Sequence, residues 1–305
     1  MILSVSRRTD IPAFYSDWFF NRLKAGFVCV RNPMYPEKVS KISMDKEVID
    51  CIVFWTKNVK PMLDRLDELD GYNYYFQYTL NPYGTDVEPI IGINRNTNIE
   101  TMIHLSERIG ADKVIWRYDP IFTSQKYTKD YHIKSFKKMA ESLRGYTLRV
   151  VISFLDLYGQ TKRNMPDIDK FDETEYRDLV RQLVQIAKDN GMIVESCAEK
   201  IDLPEEGVMH GHCIDKDLIE EIVGYRLTGG KDKGQRQECG CMESIDIGVY
   251  NTCKNGCKYC YAMYGEKDVV ENIKAYNPES PILCGIEMPT DIVTERNMRS
   301  LKRKR

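Results

Sequence analysis

The chain has 305 residues, 42% of them hydrophobic, enough to bury the core of one large α/β domain or two smaller ones. Lys and Arg number 44 against 46 Asp and Glu, a formal net charge of -2 that leaves no overall electrostatic footprint for a nucleic acid. The opening MILSVSRRTD sets arginines behind an apolar tetrapeptide, the wrong order and length for a secretory signal, and no apolar run is long enough to cross a bilayer, so a cytoplasmic protein is expected.

In chain order, eight short β-rich runs alternate with amphipathic stretches: ILSVS, FVCVRN, DCIVFW, YYFQYTL, KVIWRY, LRVVISF, MIVES and SIDIGVY. With a helix between each consecutive pair, this pattern predicts repeated βα units and a single (β/α)8 TIM-type barrel over 1–278. Gly26, Gly71, Gly110, Gly145 and Gly191 stand where helices need a left-handed C-cap before the next strand. The clearest helix is DETEYRDLVRQLVQIAKDNG, where Tyr176, Leu179, Val180, Leu183, Val184 and Ala187 recur at helical spacing. Residues 279–305, ending in RSLKRKR, lack sustained periodicity and read as a covering segment with a solvated basic tail rather than a nucleic-acid site.

In a barrel, function collects where strands end. The first strand ends in Ser6, Arg7, Arg8, Thr9 and Asp10, the second in Arg31 and Asn32, the third in Trp55, Thr56, Lys57 and Asn58. Later ends supply Gln77, Arg117, Asp119, Asp156, Glu195 and Cys197. Any one of these could merely solvate a loop, but the pattern across seven strands favours a site, with Arg7, Arg8, Asp10, Lys57, Arg117 and Asp119 as catalytic candidates. Trp55 and Trp116 either give flat surfaces for an adenine ring or an aromatic anion, or pack in the core. Because strands alternate faces, each tryptophan and the basic residue near it cannot both face inward unless the backbone has left the strand.

Ten cysteines in a large chain without an export signal point to metal or redox chemistry rather than disulfides. In NTCKNGCKYCYA, Cys253, Cys257 and Cys260 form a C-x3-C-x2-C array after the eighth predicted strand, with Asn255 and Gly256 able to turn the backbone between them. Thiolates at this spacing can converge on one inorganic centre. Cubane clusters usually have four cysteine ligands, so three imply either a distant fourth or one iron left open for a substrate or cofactor.

With Tyr259 before its last cysteine, the array resembles the cluster motif of the radical S-adenosylmethionine superfamily. The resemblance implies a 4Fe-4S cluster held by the three thiolates, with the amino and carboxylate groups of S-adenosylmethionine chelating the fourth iron. It further implies reductive cleavage to a 5'-deoxyadenosyl radical and an electron donor such as flavodoxin or ferredoxin. In that superfamily the motif follows the first strand. Here it follows the last, which a circularly permuted barrel would reconcile, since strand eight would close against strand one. Nearly the whole chain also looks like one bacterial family of uncharacterised proteins noted for such a C-terminal cysteine cluster. The resembling segments are SRRTDIPA, FWTKN, WRYDPI, SCAE, CID and CGCMESIDIGVYNTCKNGCKYCYA. No Gly-Gly-Glu element follows the neighbouring strand. By position Ser6 to Asp10 stand there instead, so Arg7 or Arg8 would pair with the methionyl carboxylate and Asp10 with the amino group. Thr9, Tyr259 and Glu195 complete the candidate cofactor-binding set.

Cys197, Cys213, Cys239 and Cys241 fall in loops expected at the same barrel face as the 239–261 cluster segment. They are read as a second, fully ligated cluster for electron relay, as a structural zinc tetrahedron, or as ordinary buried thiols. Cys29 and Cys51 lie in apolar runs and read as core, whereas Cys284 is undecided. His210 and His212 either ligate metal or belong to a plain polar loop. Two other functions compete with the radical enzyme. One is a barrel metallohydrolase built on Asp10, Asp119, Glu195 and histidines, and the other is a metal-stabilised module that binds nucleic acid through its basic tail.

Overall fold

The computed structural model describes residues 1–157, 159–170, 172–199, 201 and 203–303. Its strands are β1 (Ile2–Val5), β2 (Phe27–Arg31), β3 (Lys38–Ser43), β4 (Cys51–Thr56), β5 (Tyr74–Thr79), β6 (Val114–Ile121), β7 (Arg149–Phe154), β8 (Ile193–Cys197), β9 (Met209–Gly211), β10 (Ile245–Asp246) and β11 (Ile292–Glu295). Eight of them form one sheet in the order β10-β1-β4-β5-β6-β7-β8-β9, and every neighbouring pair is parallel. Parallel strands covered on both faces read as continuous apolar runs. Accordingly Ile52, Val53 and Phe54 in β4 are all fully buried, Ile52 and Phe54 in the larger core and Val53 in the core on the opposite face.

The closed (β/α)8 barrel does not form. β9 and β10 pair with one neighbour each and not with one another, so the sheet stays open, and the circularly permuted barrel falls with it. The run FVCVRN breaks the expected alternation. Its last residue, Asn32, accepts the backbone N–H groups of Met34 and Tyr35 at 2.9 and 3.2 Å, so the chain turns back before any crossover helix can begin. β2 then pairs antiparallel with β3, and β11 adds parallel to β3, giving a separate three-stranded sheet. The vacant place in the large sheet goes to β9, a three-residue strand whose MHG sequence carries no periodic signal. β9 and the two-residue β10 offer too little ladder to draw the edges together.

One expected adjacency survives by a different route. β10 lies directly beside β1, pairing Leu3 with Ile245 and Ser4 with Asp246, so the segments that follow these two strands leave the same end of the sheet. Between β9 and β10 the chain folds over the inner face of the sheet. There Leu218 and Ile219 of the helix Lys216–Val223 join the core that contains Val53, Tyr75, Ile115 and Val151. The segments flanking the free edges meet, the Met242 N–H donating to the Ile214 carbonyl at 3.0 Å and the Ile214 N–H to Cys241 Sγ at 3.4 Å.

The helix over Glu173–Asp189 forms as its periodicity requires, burying Tyr176, Leu179, Val180, Leu183, Val184 and Ala187, with Asp172 accepting the Glu175 N–H as N-cap. Residues 279–303 do more than cover the fold. The Ser280 carbonyl accepts the Trp18 indole at 2.8 Å, β11 extends the small sheet, and Asp50 receives Leu301 N–H at 2.7 Å. Lys304 and Arg305 of the basic tail lie outside the described residues. Among the described residues no helix is long and apolar enough to cross a membrane.

His132, on the helix Lys129–Ser142, is fully buried, with Nδ1 2.7 Å from the Tyr118 hydroxyl and Nε2 2.8 Å from the Phe122 carbonyl. Burial lowers its pKa from 6.5 to about 4. The folded chain therefore keeps the ring neutral while the unfolded chain takes a proton below 6.5, so this contribution is complete above 6.5 and lost as pH falls toward 4. The loss amounts to about 3 kcal/mol. Urea midpoints measured from pH 7 to pH 4.5 should fall more steeply for the unmodified chain than for His132→Gln. Parallel slopes would contradict this.

Candidate functional site

A cavity of about 440 Å³ opens at the C-terminal ends of the parallel strands, where open α/β sheets place their ligands. Its wall includes Ser6, Arg7, Arg8, Thr9 and Asp10 from the segment after β1, Lys57 after β4, and Arg117 and Asp119 of β6. Cys253, Cys257, Tyr259 and Cys260 line it from the segment after β10. Cys197, Cys213, Cys239 and Cys241 line the same cavity. Glu195 does not. It lies deeper on the inner face, 3.3 Å from Arg149 Nη1, with Gly211 packed so tightly against it that a Cβ there would stand 2.7 Å from its own.

Asp10 joins three of these segments. Its buried carboxylate accepts Thr56 Oγ1 at 2.7 Å, Lys57 N–H at 2.8 Å and, as cap of the helix Ile11–Phe14, Ala13 N–H at 3.1 Å. Asn255 Nδ2, between the first two cysteines of the array, donates to it at 3.2 Å. Burial raises the Asp10 pKa despite these four donors. With its lone pairs engaged, the carboxylate fixes the cysteine loop against the strand ends.

Behind the loop lies a second polar knot. Lys57 Nζ pairs with Glu88 at 2.7 Å and with the Tyr259 hydroxyl at 2.8 Å, and Tyr259 also donates to Glu88. Asn81 donates to both oxygens at 3.2 Å and ties them to the Asp119 carbonyl at 2.8 Å. Burial alone would lower the Lys57 pKa, but Glu88 and the Cys257 sulfur raise it above its ordinary value, so the ammonium stays charged. Burial pushes all three thiols up: Cys253 to about 12, Cys257 well above the usual range, and Cys260 upward, with Lys57 opposing the rise at the latter two.

Asp246 of β10 holds the segment after β1, accepting Ser4 Oγ and Ser6 Oγ at 2.7 Å each and Arg7 N–H at 2.9 Å. Gly248 allows this approach, since a Cβ there would stand 1.9 Å from Ser6 Oγ. The Arg7 guanidinium lies 5.1 Å over the Trp55 ring, and Arg8 donates to the Gly248 carbonyl at 3.3 Å. Strand alternation separates the other tryptophan from its neighbour: Trp116 is buried, stacked on Phe136 with its indole donating to Leu80, while Arg117 faces the cavity.

In the other cysteine group, Cys197 Sγ and Cys213 Sγ are 2.9 Å apart, and Arg117 Nη1 donates to Cys213 at 2.9 Å while its other nitrogens pair with Asp119. Hydrogen bonds from Cys197 and Cys241, then Arg117 and Arg7, hold the Cys213 thiol well below its usual value. Bonding with Cys241 likewise lowers Cys239, to about 6. His210 is exposed and meets the Glu238 carbonyl at 3.1 Å, whereas His212 packs against Gly240. Cys29 and Cys51 are buried among apolar side chains. Cys284 joins the main core.

Glu88, Asn81, Asp246 and Glu199 were not singled out by the sequence pattern. Glu199 lines the cavity, accepts Phe154 N–H at 2.8 Å and is raised by burial to about 7. Only Asp246 left a signal, as an acid inside an apolar run.

Among the described residues no group of three or more His, Cys, Asp or Glu side chains is already arranged around a metal ion's position, at either cysteine group. In donor chemistry alone, three thiols with a lysine ammonium beside two of them fit three irons of a cubane. The three sulfurs share one cavity wall, Lys57 offsets thiolate charge, and Asn255 Oδ1 and Arg7 Nη2 are buried without a partner.

No curated protein matches the chain. A family model described as Domain of unknown function (DUF1848) matches residues 2–262, nearly the whole chain, and the chain belongs to that family.

Proposed function

We propose that this chain is an iron-sulfur enzyme of radical S-adenosylmethionine type. The observation that carries the reading is the meeting, in one cavity, of a three-cysteine loop with a cationic segment from the neighbouring strand. Cys253, Cys257 and Cys260 would hold three irons of a 4Fe-4S cluster and leave the fourth open. When bound, the cluster supplies the electron that cleaves S-adenosylmethionine to a 5'-deoxyadenosyl radical.

The chain's own residues bind and orient. Arg7 lines the cavity with Nη2 unpaired, and its planar fork suits the methionyl carboxylate. Trp55 beneath the guanidinium fixes its plane. Asp10 acts as a positioning residue through Asn255, and Lys57 keeps a positive charge beside Cys257 and Cys260. A flavodoxin-like or ferredoxin-like donor would supply the electron.

The test is product formation. Anaerobically reconstituted protein, given dithionite and S-adenosylmethionine, should release 5'-deoxyadenosine, and Arg7→Ala should raise the S-adenosylmethionine concentration needed for half-maximal release. Absence of 5'-deoxyadenosine from cluster-loaded protein would overturn the proposal.

A further inference from the structure

We propose that Cys197, Cys213, Cys239 and Cys241 form a second centre, a tetrathiolate site for one thiophilic divalent cation of the zinc class, which ties together the free edges of the parallel sheet. The four sulfurs come from three separate segments: the end of β8, the turn after β9, and the Cys-Gly-Cys loop ahead of β10. The Cys197 and Cys213 sulfurs are in contact, the N–H of the next residue, Ile214, donates to Cys241 Sγ at 3.4 Å, and all four cysteines line one cavity, with Cys239 two residues from Cys241. The Cys29 and Cys51 thiols instead donate to Glu287 at 3.2 Å and to the Ile52 carbonyl at 3.7 Å.

Charge and shape fit the assignment. Four thiolates around a divalent cation leave two negative charges, and two guanidinium groups face them: Arg117, 2.9 Å from Cys213, and Arg7, which is drawn by Cys241 and Cys213. The loop is shaped to cross the His212 ring, for a Cβ on Gly240 would stand 2.1 Å from Cε1, and His212 Nδ1 is buried without a partner.

Size selects a single ion over a cluster. Cys197 and Cys213 sulfurs lie 2.9 Å apart, closer than unbonded sulfurs rest yet far beyond the about 2.05 Å of a disulfide. Two thiolates on a tetrahedral zinc at about 2.3 Å stand about 3.8 Å apart, so entry of the ion needs these sulfurs to part by only about 1 Å. A cubane would have to drive them much farther. Four protein ligands with no open position mark a structural site. The position agrees, because the strands that bring in Cys213 and Cys241 are the two edges that do not pair, joined nearby by the bond from Met242 to Ile214.

The experiment uses the full-length chain with Cys253, Cys257 and Cys260 all changed to alanine, so the answer does not depend on the radical reading. Purified without oxygen and loaded with Co(II), it should bind about one cobalt per chain and show the intense ligand-field and thiolate-to-cobalt bands of a tetrahedral tetrathiolate. Zinc should displace the cobalt and bleach the bands, and the unmodified chain should carry the same single zinc. Cys213→Ser added to the triple variant should abolish the bands. Should that variant not fold, the triple variant alone decides. Absence of bound cobalt overturns the proposal. So do about four irons with matching sulfide in the triple variant, which would make this a second cubane, and a Cys197–Cys213 disulfide found by alkylation and mass spectrometry.

Discussion

Replacing Cys257 with alanine is expected to strip the proposed 4Fe-4S cluster from the protein. Of the three residues in the array, Cys257 is the most buried, Lys57 acts on its sulfur as on that of Cys260, and burial raises its pKa far above the usual range. In the proposed cluster its thiolate form would be sustained by bonding to iron together with the neighbouring ammonium. Iron and sulfide should fall from about four each to below about one. Formation of 5'-deoxyadenosine should drop by more than the roughly 10–100-fold that loss of an outer partner costs a metal site. Cys51→Ala, a buried change far from the loop, should leave both readings intact. Iron-sulfur colour and turnover retained in Cys257→Ala would show that the ligand assignment is wrong.

Lys57→Met should be nearly as damaging, for a different reason. It removes the cation from a buried pair and leaves Glu88, whose side chain is 1% exposed, near the Cys257 sulfur. Breaking one side of a buried pair costs about 3–5 kcal/mol, because the remaining charge is uncompensated. The midpoint in urea should fall accordingly at pH 7. Cluster reconstitution should also slow, since thiolates at Cys257 and Cys260 lose their nearest cation. Lys57→Arg should restore part of both. A variant as stable as the parent at pH 7 would contradict a supporting role for the pair.

The parts of this molecule legible in the sequence are those fixed by local pattern. Seven of the eight apolar runs became strands of the parallel sheet, and the helix at Glu173–Asp189 buried the face its spacing marked. Closure was not legible, because it depends on whether edge strands are long enough to pair, and β9 and β10 have three and two residues. FVCVRN misled because an apolar strand reads the same whether a helix or a tight hairpin follows it. The Asn32 turn decided between them.

The cavity shows the same division. Cys253, Cys257 and Cys260 announced themselves by spacing, and Ser6 to Asp10 by crowding polar groups at a strand end. Glu88 and Asn81 did not, since they act through a loop whose path is set only when Lys57 and Tyr259 meet there. Glu195 misled in the opposite sense, as a carboxylate near a strand end that points to Arg149 instead of the cavity.

The measurement that bears most directly on the central claim is the iron, sulfide and zinc content of the chain purified without oxygen. About four irons and four sulfides per chain, lost together in Cys257→Ala, are expected, with about one zinc that persists. Stoichiometric zinc with no sulfide would contradict a cluster on Cys253, Cys257 and Cys260.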